Sequence, residues 1–124
     1  MKYIFLFCSL LPLLAFQMDS MNEIAQAIKN GDANGLGKYM TDPVELTILG
    51  EESTYTKAQA VQKLQTFFNQ NRPMGFSQMH EGTSKGQGSK YCLGNLETNG
   101  KTYRIYYLVV MEGTEYRLQE LRIE

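Results

Sequence analysis

With 124 residues, the chain has room for one domain with a modest core and none for a second. A net charge of −1 without any basic or acidic run excludes electrostatic capture of nucleic acid or of an anionic membrane surface. One histidine and two cysteines exclude a disulfide framework and a tetrahedral centre built from His and Cys alone, so no metal and no cofactor is expected.

Residues 1–17, MKYIFLFCSLLPLLAFQ, join Lys2 to an apolar run from Tyr3 to Phe16. That is the layout of a secretory signal peptide, and the run is shorter than the ~20 residues of a stable membrane anchor. Cleavage is expected between Ala15 and Met18, with export to the periplasm or beyond. An acylated Cys8 would have to close the apolar run, yet Leu10 to Phe16 continue it. Removal of the leader leaves Cys92 as the sole thiol and a net charge of −2. Residues 18–124 are then one domain held together by packing.

Ser20-Met-Asn-Glu23 has the form of a capping box, and Met21, Ile24, Ala25 and Ile28 follow at helical spacing to a stop at Gly31. Asp32 caps a second, shorter helix that turns Leu36, Tyr39 and Met40 inward. Asp42-Pro43 ends it, and Val44, Leu46 and Ile48 alternate with polar residues as in a half-buried strand. Glu45 is out of phase with them and reads as solvent-facing. After Gly50 comes a short strand near Ser53 to Tyr55. Thr56-Lys-Ala-Gln59 is a second capping box, opening the main helix with Ala60, Val61, Leu64, Phe67 and Phe68 on one side until Pro73 forces an end.

From Gly75 onward every signal is strand and turn. Phe76, Gln78 and His80 fall on one side of a strand ending at His80, followed by a loop over Gly82 to Gly88 and a strand over Tyr91 to Thr98. Asn99-Gly100 predicts a type I′ hairpin. That turn sets Leu96 opposite Tyr103, Gly94 opposite Ile105 and Cys92 opposite Tyr107. The next turn joins Gly113 with Glu112 or Thr114; taken at Glu112-Gly113, it sets Val109 opposite Tyr116 and Tyr107 opposite Leu118. Strict alternation would then bury Glu120, so one extra residue is expected near Gln119-Glu120, returning Leu121 and Ile123 to the core. The order of elements makes an α+β domain, with helices packed on one face of a curved antiparallel sheet.

The helix-facing side so defined is nearly all apolar. The opposite side carries Tyr91, Leu93, Tyr106, Leu108 and Val110 mixed with Arg104, Arg117 and Arg122. Aromatics with arginine are the chemistry of interfaces, which marks this side as a contact for a protein partner, most simply a second copy in a homodimer.

The segments IKNGDANGLGKYM, VELTILGEE, YTKAQAVQKLQTFFNQN, F…H.G, Y.LGNLETNGKTYRIYY and the closing LRIE together resemble a family of small secreted bacterial proteins of unknown function. The resemblance covers Met21 to Glu124. It implies membership of the nuclear-transport-factor-2-like superfamily, with the cone-shaped α+β fold shared by ketosteroid isomerase and scytalone dehydratase, and implies no activity. Enzymes of that superfamily line the cone with an aspartate base or a paired histidine and aspartate. Here Asp19, Asp32 and Asp42 all fall in predicted caps or turns, so that pattern is not matched.

His80 is the one candidate for acid–base catalysis, placed by this reading toward the helices at the rim of the cone but lacking a partner. A small apolar ligand held by Phe67, Phe76, His80, Cys92 and Tyr107 is the main use foreseen for the cone. An isomerase, lyase or hydrolase chemistry at His80 is the alternative. HEGTSKGQGSK, around that histidine, is no phosphate cradle: its glycines are not in P-loop spacing and a strand follows it.

Overall fold

The computed structural model describes residues 20–83 and 88–124. The leader expected over residues 1–17 and the middle of the glycine loop lie outside the described residues. Three helices, α1 (Ser20–Asn30), α2 (Ala33–Tyr39) and α3 (Lys57–Gln70), pack on one face of a six-stranded sheet. The strands are β1 (Met40–Ile48), β2 (Glu51–Tyr55), β3 (Pro73–Thr83), β4 (Ser89–Thr98), β5 (Thr102–Glu112) and β6 (Glu115–Ile123), in spatial order β2-β1-β6-β5-β4-β3. No helix among the described residues is long and apolar enough to cross a membrane.

Local chemistry explains the helix ends. Gly31, at φ +64°, closes α1: its amide donates to Ile28 O, and the Asp32 amide reaches back to Ala27 O. This is a Schellman motif, which needs the left-handed conformation that glycine adopts without penalty. Asp32 then caps α2 by accepting the Gly35 amide at 2.9 Å. The Thr56–Gln59 capping box opens α3 as the sequence predicts. At the start of α1, by contrast, the Ser20 hydroxyl accepts the Tyr116 amide at 3.0 Å, tying the helix to the first residues of β6.

The core is the seam between the helices and the inner side of the sheet. Ile24, Ile28, Leu36, Leu64, Phe67 and Phe68 from the helices meet Leu96, Ile105, Tyr107, Val109, Leu118, Leu121 and Ile123 from the strands, all buried. Leu96–Tyr103, Gly94–Ile105 and Cys92–Tyr107 are opposite one another, as the hairpin register predicts. Gly94 is required there, because the Phe76 ring lies where its Cβ would stand.

The turn between those strands departs from expectation. Neither Asn99 nor Gly100 has positive φ, so the turn is not type I′. The Thr98 hydroxyl closes it instead, donating to Lys101 O at 2.7 Å and accepting the Lys101 amide at 3.2 Å. In the next hairpin Gly113, with φ +66°, and Thr114 occupy the turn, so Val109 faces Leu118 and Met111 faces Tyr116. That is a slip of two residues from the predicted register, and a period-2 strand keeps the same residues inside after such a slip.

The foreseen β-bulge is present. Val109 pairs with Leu118 and Leu108 with Glu120, leaving Gln119 unpaired, and Leu121 and Ile123 return to the core. Two further differences concern the N-terminal strands. β1 starts at Met40, before Asp42-Pro43, and it runs parallel to β6 rather than antiparallel. That pairing joins the β1–β2 hairpin to the meander.

Leu64→Ala, at a fully buried position, should cost about 2–5 kcal/mol in urea unfolding. Deleting Gln119 should cost less, because Glu120 then follows Leu118 directly, still opposite Leu108 on the outer face, and Leu121 and Ile123 stay inward. A deletion variant that loses more stability than Leu64→Ala would refute this account of the bulge.

Candidate functional site

A second bulge decides which face carries the histidine. Gln78 pairs with Gly94 but His80 with Leu93, leaving Met79 as an extra residue in β3. Everything beyond Met79 is thereby turned over. His80, expected toward the helices, lies on the outer face, where its Nε2 is 3.1 Å from the Tyr91 hydroxyl. Glu81 takes its place on the inner side, opposite Cys92. β3 also continues past His80 to Thr83, so the loop is shorter than predicted and the histidine sits within a strand.

The five residues expected to line the cone are therefore divided. Phe67, Cys92 and Tyr107 are buried together, Phe76 packs half-buried against them over Gly94, and His80 is on the other side of the sheet. Phe67 sets its ring edge-on to Tyr103 at 5.2 Å, and the Tyr103 hydroxyl donates to Asn71 Oδ1 at 2.8 Å. Tyr107 is fully buried, and its hydroxyl has no hydrogen-bond partner within geometric limits among the described residues. It faces the thiol of Cys92, a weak partner. Burial, reinforced by Cys92 and by the Glu81 charge, holds its proton far more tightly than in an ordinary tyrosine. Burial also raises the Cys92 thiol, against the nearby Tyr107 hydroxyl, so Cys92 is a small buried hydrophobe and no nucleophile. The far end of the helix-facing side is polar: Gln78 Nε2 donates to Glu81 Oε2 at 2.9 Å, and Lys90 Nζ stands 5.2 Å from the Tyr116 ring centre.

Across the outer face runs a continuous row of contacts spanning five strands. His80 meets Tyr91; Tyr91 stacks with Tyr106 at 6.4 Å; Arg122 lies over Tyr106 at 5.6 Å; and Arg122 Nη2 approaches Glu120 Oε2 at 3.4 Å. Glu120 in turn pairs with Glu45 of β1. Leu93, Leu108 and Val110 fill the spaces between these groups, and all three are half-buried although no described helix covers them. Arg104 stands exposed at one end. Arg117, at the other, is committed to the fold: it donates to Lys38 O at the end of α2 at 2.9 Å and lies 3.7 Å from Glu115. All eight residues assigned to this face from the sequence belong to its strands and lie on this side of the register.

The Glu45–Glu120 pair escaped sequence reasoning, since it depends on the parallel β1–β6 register. Glu45 is exposed, as foreseen, while the Glu120 side chain is 13% exposed. Burial raises Glu120 above the ordinary carboxyl value of 4.5, and a hydrogen bond with Glu45 adds to the rise, opposed by Arg122. Two carboxyls so placed favour sharing one proton.

Residues 21–124 match the model of a domain of unknown function, DUF4783. A DUF4783 family protein from Bacteroides ovatus is 30% identical, with 82% of this chain and 90% of that one covered and a TM-score of 0.75. A second, from Bacteroides uniformis, is 25% identical over 82% and 93% of the two chains, with a TM-score of 0.76. An NTF-2-like protein of unknown function from Silicibacter pomeroyi shares the fold at 12% identity, over 85% and 90% of the chains, with a TM-score of 0.59. No curated protein matches. The expected family and cone-shaped fold are those found.

Two outcomes follow from this geometry. A carboxyl whose folded pKa is raised contributes stability below its ordinary value of 4.5 and loses that contribution as pH climbs through the raised value. Glu45→Gln should therefore raise the urea midpoint near neutral pH, with the gain shrinking below 4.5; an equal gain at both pH values would count against the pair. Tyr107→Phe removes a buried hydroxyl lacking a nitrogen or oxygen partner and should leave stability unchanged or raise it by about 1 kcal/mol. A marked loss in thermal unfolding would mean that the hydroxyl is bonded.

Proposed function

Because the chain belongs to the DUF4783 family, whose function is unknown, we propose a role from its own geometry: a non-enzymatic exported module that binds a partner chain across the outer face of the sheet. The partner is a second copy of itself. The observation that carries this reading is the row from Tyr91 through Tyr106 to Arg122, with Leu93, Leu108 and Val110 around it, on a face that no described helix covers. A face with aromatic and aliphatic groups at its centre and arginines toward its ends has the composition of a protein contact. A two-fold axis through such a face makes it complementary to itself. The low net charge of the chain sets little repulsion against that pairing. Export rests on the leader-like residues 1–17.

A small apolar ligand inside the cone draws less support, because Phe67, Cys92 and Tyr107 pack against one another and against the helices. Acid–base chemistry by His80 in the cone draws none, since its ring is on the outer face beside Tyr91.

In solution, multi-angle light scattering should give the mass of a dimer for residues 18–124. Leu108→Glu and Leu108→Lys should both give the monomer mass with an unchanged far-ultraviolet spectrum. The second variant guards against a loss caused only by the neighbouring Glu120 charge. A monomeric wild-type protein would overturn the proposal.

A further inference from the structure

One end of the outer face holds a depression of about 250 Å³, lined by Leu93, Arg104, Tyr106, Arg122 and Glu124. Its position follows from the register. Tyr106 lies between Leu93 of β4 and Arg122 of β6, and Arg104 exchanges both backbone hydrogen bonds with Glu124. Four residues from three strands, with Glu124 just past the end of β6, therefore converge on one hollow.

The chemistry of those five residues is unusually mixed for so small a space. Arg104 has no carboxylate within 4.0 Å among the described residues. Arg122 reaches Glu120 only through Nη2, while its Nε is buried without a partner. A buried N–H with no acceptor is an uncompensated desolvation, which a ligand oxygen would relieve. The Nε and Nη edges of guanidinium groups form the fork that receives a planar carboxylate. Leu93 and the Tyr106 ring supply an apolar wall, and Glu124 supplies a negative charge for a cationic group.

We propose that this hollow is a binding site for a free α-amino acid with an apolar side chain. The carboxylate is received by Arg104 and Arg122, the ammonium by Glu124, and the side chain by Leu93 and Tyr106. A simple anion leaves Glu124 opposed, and an amine leaves both arginines opposed, so the zwitterion alone suits every charge in the lining. The volume lies just under the range of ligand pockets, which begins at about 300 Å³, and it limits the ligand to a single small molecule. The site shares Leu93, Tyr106 and Arg122 with the face proposed for the dimer, whereas Leu108 is not among its lining residues.

Isothermal titration of residues 18–124 with L-phenylalanine and with L-leucine tests the assignment. Saturable binding is expected at one site per chain, with phenylacetate and phenethylamine each weaker by about tenfold or more, as for loss of one partner of a charged contact. Arg104→Gln and Arg122→Gln should each weaken binding to the same degree, the first with an unchanged thermal midpoint. Arg104 is exposed, so its replacement leaves the fold intact. Absence of saturable binding by both amino acids at millimolar concentration overturns the site, as does undiminished binding in Arg104→Gln or equal binding of phenethylamine. Repeating the titration with Leu108→Glu separates the two proposals: binding retained by a monomeric protein supports the pocket whatever becomes of the dimer.

Discussion

One unpaired residue, Gln119, holds the two faces of this sheet apart. Up to Leu118, β6 alternates in step with β5; were Gln119 paired in strict alternation, Glu120 would enter a core already filled by Leu96, Ile105 and Tyr107. Burying a carboxylate there without a partner would cost several kcal/mol. The bulge sends Glu120 outward and Leu121 and Ile123 inward. In doing so it brings Glu120 beside Glu45 and sets Arg122 over Tyr106. The core, the acid pair and the hollow at the end of the sheet all descend from that insertion.

A second bulge, at Met79, has the opposite character. Gln119 preserves the apolar order of an inner strand, whereas Met79 turns over the end of an edge strand whose side chains are mostly exposed. On such a strand neither face is strongly preferred, so the energetic difference between the two registers is small. What the bulge accomplishes is placement. It moves a histidine from the helix-facing side to the Tyr91 hydroxyl and brings Glu81 round to that side. The polar end of the helix-facing side and the aromatic row on the reverse side are two results of the same irregularity.

Much of this was legible in the sequence, and the reasons are local. Thr56 and Gln59 can form a capping box from residues three apart. Asn99-Gly100 sits between two alternating strands whose inward side chains permit only one register, so the pairing of Cys92 with Tyr107 follows even though the turn itself is closed by Thr98. The Gln119 bulge was legible because a charged residue falls where the alternation calls for an apolar one. The Met79 bulge left no such mark: Ser77, Gln78, His80 and Glu81 are polar on both faces, and polar alternation does not pin a register.

Composition, periodicity and capping residues by themselves determined the α+β class, the helix-facing side of the sheet and the eight residues of the outer face. These depend on neighbours a few positions apart or directly across a hairpin. Only the tertiary structure decided that β1 runs parallel to β6, that Glu45 therefore meets Glu120, that His80 belongs to the outer face, and that Arg104, Arg122 and Glu124 close on one hollow. Each of these joins residues distant in the chain or hinges on a one-residue slip in a polar strand. Their free energies come from packing between elements, which no local pattern encodes.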